Sequence, residues 1–453
     1  MKQNLAISTK FQKAPFVTKL YIWSIVLEPL LYFKFYERGF LPMHLTASRL
    51  CQMMVLVILF LRVCLNPRFM LPHRIRDNVK LFQSYLCLII FSSIIGFFSG
   101  SYVWHGVYVQ SEGSVFYKLI YNPEVRSLLE FLIILYQISY FVFLCPLMIK
   151  NKSSVHYFFK VVMFLGVTHF VLGFLDLFDL LPFGKIGRHF SDGRGVGFRF
   201  HGIAGEPRDA AVFGIFFYAL LLVRSIYFKK SDNHLGWLFV IILSFLYTCS
   251  FSGVIGVGIG LMLYMFTLKK RYMLFYSALV LLTVMALIFF NARLMAYMKN
   301  FSDLFANIDI NHFSLESLPQ MLSGQFNDIY IMVLIYYDFI NLNWIQLFIG
   351  HGIGSSQFVV SKLTNQLTLT HSQFPRELFE AGLLGALLFF IIVKKIYRDA
   401  MDVFFEKIPT IHLFTFFLLF GAILGHRSYC LYIYLGVIIA VSQVALHEKV
   451  HRK

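Results

Sequence analysis

Three arginines and a glutamate crowd the segment that leads into an apolar run near residue 209. Arg194, Arg199 and Arg208 lie with His201 and Glu206 in the stretch GRGVGFRFHGIAGEPR. Arginine binds phosphate through planar, paired hydrogen bonds, and each charge-assisted contact is worth about 1.5–3 kcal/mol. A helix that begins at Pro207 adds its free amides to an anion site. The neighbouring Glu206 carboxylate is then in position to act as a base beside that site. The same glutamate can instead be a plain N-cap.

A second group of ionisable residues lies in THSQFPRELFEAGLLG, residues 370–385, which also leads into an apolar run. His371 is a candidate general base in this group, and Arg376 is a candidate phosphate ligand with Glu380 in support. Arg376 and Glu380 are also one helical turn apart, so they can simply pair on one helix face. A histidine at a membrane interface is more often structural than catalytic.

The third stretch is LFIGHGIGSSQF, residues 347–358. Its glycines predict a flexible turn that can bring His351 close to a ligand. The stretch lacks the GK[ST] ending of a phosphate-binding P-loop and is no dinucleotide fingerprint. A metal held by His351, His371, Glu377 and Glu380 would match no familiar ligand spacing, so we expect neither a metal nor another cofactor.

The elements that must position these residues are membrane helices. Hydrophobic residues make up 58% of the 453 residues and charged residues only 14%, with a mean hydropathy of +0.70. This composition predicts a single all-α polytopic membrane domain over residues 1–453, with about twelve transmembrane helices. The apolar windows lie near 16–33, 44–65, 81–99, 127–149, 157–182, 209–227, 235–250, 253–268, 272–291, 377–397, 409–425 and 427–446. We expect no nucleic-acid partner, because membrane insertion alone explains the net charge of +17.

Charge in the connecting loops predicts that both termini are cytoplasmic. Two large loops then face outwards, namely the arginine-rich loop 183–208 and the loop 292–376. The first loop breaks the positive-inside rule. Either a helix has been miscounted, or the loop binds an anion on the outer face. The second is too long for a simple connection and predicts interfacial helices, including one at the membrane surface or re-entering it over 329–349. The amino-terminal segment has no recognisable cleavage site, so we expect the first helix to be the insertion signal.

Taken in order, these features resemble the O-antigen polymerase and O-antigen ligase superfamily of bacterial membrane glycosyltransferases. The matching pieces are GIAGEPRDAA at the head of a span, YTCSFSGVIGVGIG at 247–260, FIGHGIGS, and HSQFPRELFEAGLLG. The resemblance covers roughly residues 190 to 400. In the family the histidine of the last block is commonly followed by asparagine, whereas Ser372 follows His371 here.

The resemblance implies a helical fold of the GT-C type in the bacterial inner membrane, with its active site at the periplasmic face. It implies an undecaprenyl-diphosphate-linked glycan as donor and as acceptor, and no metal or nucleotide. By motif, the family's functional arginines correspond to Arg194, Arg199 and Arg208, and its histidine corresponds to His371. A chain-length regulator and a flippase are the expected protein partners.

The resemblance favours a polymerase of lipid-linked repeat units in O-antigen or capsule assembly. Within the same superfamily, a ligase that transfers finished glycan to lipid A–core has the same donor and similar residues. A multi-span transporter is the alternative from another class. Transporters tend to carry internal repeats and mid-membrane charges, whereas here we find no repeat and the polar clusters gather at one face.

Overall fold

A computed structural model of the protein describes its helical framework. The described residues are 14–30, 34–36, 45–65, 73–99, 123–178, 180, 200, 202–204, 207–228, 236–237, 239–241, 243–244, 299, 302, 344–356, 358, 373–404 and 428–451. The helices among them are α1 (Phe16–Val26), α2 (Ala47–Leu65), α3 (His73–Phe98), α4 (Pro123–Gln137), α5 (Leu144–Met148), α6 (Lys152–Leu177), α7 (Pro207–Phe228), α8 (Trp344–Ile349), α9 (Gln373–Phe404) and α10 (Ser428–His451). Between α1 and α2 in the chain, the short strands β1 (Lys34–Tyr36) and β2 (Leu45–Thr46) pair antiparallel.

Five of the described helical segments are long and apolar enough to cross a membrane. They are Val79–Phe98, Ser127–Met148, Lys152–Leu177, Ala210–Phe228 and Tyr429–Val450. Large apolar side chains on α2, α3 and α9 are exposed, as expected where lipid rather than protein covers a helix. These findings confirm a helical membrane protein. The expected spans near 235–250, 253–268, 272–291 and 409–425 lie largely or wholly outside the described residues. Of the expected helix over 329–349, only the last six residues are described, and they form α8.

The first expected span is shorter than its apolar run. The helix α1 ends at Val26, whereas the sequence predicts an end near residue 33. Pro29 has no amide with which to continue the helical ladder. The adjacent Glu28 carboxylate is buried and accepts hydrogen bonds from the Ser48 hydroxyl and, at 2.7 Å, from the Gln52 side-chain amide of α2. Buried polar groups need such partners, so this network fixes where α1 gives way to the strands.

A π-helical turn, Ile138–Phe143, joins α4 to α5 in one continuous segment. Pro146 follows it and cannot donate an amide to the preceding turn, which favours the wider ladder there. The widened turn packs directly on α10, because a Cβ added at Gly436 would lie 1.9 Å from the Phe141 carbonyl oxygen. Tyr21 of α1 donates to the Tyr140 carbonyl at 2.8 Å, so the same turn also binds α1.

The helices α6 and α7 form an antiparallel pair. The Asn151 side chain caps α6 by accepting from the Ser154 amide at 2.8 Å. Further along, Gly166 allows Phe217 of α7 to approach so closely that an added Cβ would lie 2.0 Å from its ring. The apolar residues of α7 are almost all buried, which makes it a central helix of the bundle.

Contacts between helix ends assign the two faces of the bundle. Lys152 at the start of α6 lies 3.9 Å from the Glu448 carboxylate of α10, and Tyr227 near the end of α7 donates to the same carboxylate at 3.3 Å. The start of α6 therefore shares a face with the ends of α7 and α10, which we call the Lys152 face. Lys19 lies 5.5 Å over the Tyr157 ring, so α1 also begins on this side.

The end of α3 lies towards the other face. Phe82, early in α3, packs edge-on against Phe143, late in the α4–α5 segment, with ring centroids 5.5 Å apart. That segment ends at Met148, immediately before the Lys152 face, so α3 runs away from that face towards Phe98. The start of α7 and the end of α6 lie on this side as well, which we call the opposite face.

Candidate functional site

Two of the stretches singled out in the sequence meet at a break in α9. Gly382 has φ 69° and ψ −176°, a conformation that ends the first part of the helix. A helix end leaves carbonyl groups without amide partners. The amides of His351 and Gly352 supply them, bonding the Phe379 and Glu380 carbonyls at 2.9 Å each. The turn 350–354 thus caps the first part of α9 from a distant part of the chain. We call this turn, together with the break at Gly382 that it caps, the glycine clasp.

Glycine is required on both sides of the clasp because backbone meets backbone. A Cβ added at Gly350, which has φ 92°, would lie 2.4 Å from the Glu380 carbonyl oxygen. One added at Gly382 would lie 2.4 Å from the Phe348 carbonyl oxygen. Gly350 of FIGHGIGS and Gly382 of EAGLLG are therefore explained by this mutual approach rather than by flexibility of the turn.

Two serines of α3 hold the clasp to the bundle. Ser92 donates to the Glu380 carbonyl at 2.6 Å and accepts from the Gly352 amide at 2.9 Å. Ser93 accepts from the Ile353 amide at 3.2 Å. Because Ser92 and Ser93 are near the end of α3, the clasp lies at the opposite face of the bundle.

Two buried carboxyl groups belong to the same unit. The Tyr85 hydroxyl donates to Glu377 Oε2 at 2.6 Å, and the Ser356 hydroxyl donates to Glu380 Oε1. Tyr85 also packs against Phe389, with ring centroids 5.5 Å apart. Residues on both sides of the break, Glu377 and Phe389, thus contact the same tyrosine.

His351 is buried in the clasp. Its ring stacks on Phe379, with centroids 4.5 Å apart and an angle of 15° between the planes. Burial lowers the pKa of His351 to about 4, so the ring is neutral at physiological pH. A neutral, stacked ring packs the turn against α9, and it can accept a hydrogen bond without adding charge.

The segment before α7 is anchored to α6. The Ile203 amide donates to His169 Nδ1 at 3.3 Å, and the His169 ring packs between Phe200 and Phe213 at 5.5 Å and 4.6 Å. Gly173 gives room for Phe200, since an added Cβ would lie 2.4 Å from its ring. The segment that joins the arginine-rich loop to α7 is therefore fixed at the opposite face, on the same side of the bundle as the clasp.

Most of the residues that the sequence proposes for chemistry fall outside the described residues, namely Arg194, Arg199, His201, Glu206 and His371. Arg208 and Arg376 lie in the first turns of α7 and α9. His351 and Glu380 are buried together in the glycine clasp. Within the part of the chain that the structure describes, no three histidine, cysteine, aspartate or glutamate residues are grouped for metal binding.

Sequence reasoning missed His169, Tyr85 and Ser92. An ionisable residue inside an apolar span is itself a signal of function, and His169 in α6 carries that signal. Tyr85 and Ser92 carry none, because single hydroxyls are common on apolar helices. No model of a known protein family matches the chain, and no curated protein matches it either.

Proposed function

We propose that the protein is a polymerase of lipid-linked oligosaccharide repeat units in bacterial surface-polysaccharide assembly. It acts in the inner membrane, with both termini in the cytoplasm and glycosyl transfer at the periplasmic face. The donor and the acceptor are undecaprenyl-diphosphate-linked glycans, and no metal or nucleotide takes part. In this account the described bundle belongs to a fold of about twelve spans of the GT-C type.

One observation supports this proposal more than any other. The FIGHGIGS and EAGLLG segments form the glycine clasp at the opposite face, and the segment that leads from the arginine-rich loop into α7 is fixed at that face too. Arg199 and Arg208 flank the His169 anchor in the sequence, and His371 precedes the first part of α9. On this proposal all three residues contribute to one site. A transferase that joins a diphosphate-linked donor to an acceptor needs cations for the diphosphate and a base for the acceptor hydroxyl on the same side of the membrane.

The residues divide the chemistry between them. Breaking the bond from sugar to diphosphate places negative charge on the leaving group and positive character on the sugar carbon. Arg194, Arg199, Arg208 and Arg376 stabilise the leaving diphosphate, so that it departs without a general acid. Either His371 or Glu206 takes the proton from the attacking hydroxyl of the acceptor.

Replacing the arginines tests the proposal in cells. Arg199→Ala and Arg208→Ala each remove a cation from the developing diphosphate charge, so polymer should fall by about 100-fold or more. Single repeat units should still be made and should accumulate. Arg398→Ala is the matched control, because Arg398 is exposed in the last part of α9, away from the clasp. The readouts are the polysaccharide length ladder and the amount of protein in the membrane.

Each outcome identifies a different function. Single repeats attached to the lipid A–core indicate a lost polymerase, whereas complete absence of attached glycan, with long lipid-linked polymer still present, indicates a ligase. Normal long polymer in both arginine variants would rule out the diphosphate role. Failure of lipid-linked repeats to reach the outer leaflet in those variants would favour a transporter.

A further inference from the structure

We propose that His169 is a positioning residue, which fixes the segment 202–204 against α6 and thereby sets where Arg199 and Arg208 meet the diphosphate. The inference rests on the proposed function for the role of the arginines. The anchoring itself depends only on contacts among the described residues.

The anchor is specific to the imidazole. His169 is fully buried, and its Nδ1 accepts a hydrogen bond from the Ile203 amide, with the two nitrogens 3.3 Å apart. Three phenylalanines, Phe170, Phe200 and Phe213, surround the ring with centroid distances of 5.1, 5.5 and 4.6 Å. An aromatic residue without a ring nitrogen would fill the space, but it would leave a buried amide without its acceptor.

Close packing allows the segment little freedom. Gly202 has φ 50°, and a Cβ added there would lie 2.5 Å from the His169 ring. One turn further along α6, an added Cβ at Gly173 would lie 2.9 Å from the Gly202 Cα. The segment therefore occupies one position on α6, which is defined by the histidine ring and by two glycines.

The anchor lies where it can act on the arginines. Arg199 directly precedes Phe200, and Arg208 is in the first turn of α7, just beyond the fixed segment. A displacement of about 1 Å in a positioning segment can lower the rate of a reaction by about 100-fold. His169 itself need not touch the substrate, because it acts through the chain that carries the arginines.

A labelling experiment tests the anchor without any assay of activity. In a full-length protein whose six cysteines are replaced by alanine or serine, Ile203→Cys puts a thiol in a buried position while keeping the backbone amide. The reagent is a hydrophilic maleimide added to the purified protein in detergent, where both faces of the bundle are accessible. We expect slow labelling when residue 169 is histidine, and labelling at least about tenfold faster in His169→Leu, which keeps the bulk but removes the acceptor.

Two matched variants complete the test. His169→Asn places a side-chain oxygen near the position of Nδ1, so it should restore slow labelling. Phe164→Leu, at an exposed site on the same helix, should have no effect. If His169→Leu fails to accumulate, Gly202→Ala takes its place, since its methyl group pushes the segment off the same ring.

Activity then connects the anchor to the reaction. For the lipid-linked donor, kcat/KM should fall about 100-fold in His169→Leu, mainly through kcat, and His169→Asn should recover most of it. Equal labelling of the leucine and asparagine variants would overturn the positioning role, whatever the activity. If the labelling rates are as expected but the wild-type protein makes no polymer, the anchor stands and the proposed function is overturned.

Discussion

The described histidines show how residues of one type take different roles according to what surrounds them. His169 accepts a backbone amide within a cluster of phenylalanines, whereas His351 stacks on Phe379 in the glycine clasp. His351 is singled out by its glycine-rich neighbourhood in the sequence, but the reason for that neighbourhood is backbone packing. His371, the candidate base, remains a prediction because it lies outside the described residues.

Burial of His351 predicts a pH dependence of stability. Its pKa is about 4 in the folded protein and 6.5 for a solvated histidine, so the unfolded chain binds a proton at a higher pH than the folded one does. The free energy of unfolding should therefore decrease as pH falls from about 6.5 to about 4, by at most about 1.4 kcal/mol for each pH unit. Thermal melting of the purified protein in detergent between pH 7 and pH 4.5 measures this dependence.

The matched variant for this measurement is His351→Gln, which cannot take up a proton. All other titrating groups are shared, so the difference between the two melting curves isolates the histidine. The variant should melt lower than the wild type at pH 7, because it loses the ring stack, and the gap should narrow as pH falls. A gap that stays constant across the range would show that His351 is not buried as a neutral ring.

At the scale of elements, α9 is the feature that the sequence least foretells. The apolar run predicts a span near 377–397, and a helix does cover it from Gln373 to Phe404. The break at Gly382 is invisible in the sequence, because an isolated glycine inside an apolar run is compatible with an unbroken helix. The cause is the turn 350–354, which lies far away in the chain and caps the carbonyls that the break leaves free.

The break predicts the effect of a single methyl group. Gly382→Ala should destabilise the protein by about 1–3 kcal/mol from backbone strain alone, and by more from the clash with the Phe348 carbonyl. Leu384→Ala is the control, because Leu384 is exposed on the same helix and carries little packing. Thermal melting should rank the glycine variant well below the control. Equal melting temperatures would mean that the two backbones are not in contact at Gly382.

At the scale of the whole molecule, composition predicts a helical membrane protein. Contacts between helix ends then show which ends share the Lys152 face and which share the opposite face. The sequence separates apolar from polar segments, so the five described spans fall where the apolar windows are. The polar contacts within spans, such as the Glu28 network that ends α1, could not be foreseen, because each depends on a partner from another helix. The same is true of the clasp and of the His169 anchor.

If the proposed function is right, the protein itself joins lipid-linked repeat units. The most direct test supplies the purified full-length protein with undecaprenyl-diphosphate-linked repeat units in detergent or liposomes, without nucleotide sugar or added metal. We expect a ladder of products separated by one repeat unit, which is lost in Arg199→Ala and Arg208→Ala and kept in Arg398→Ala. Substrate that stays a single repeat, in the presence of protein that melts as the folded wild type does, would contradict it.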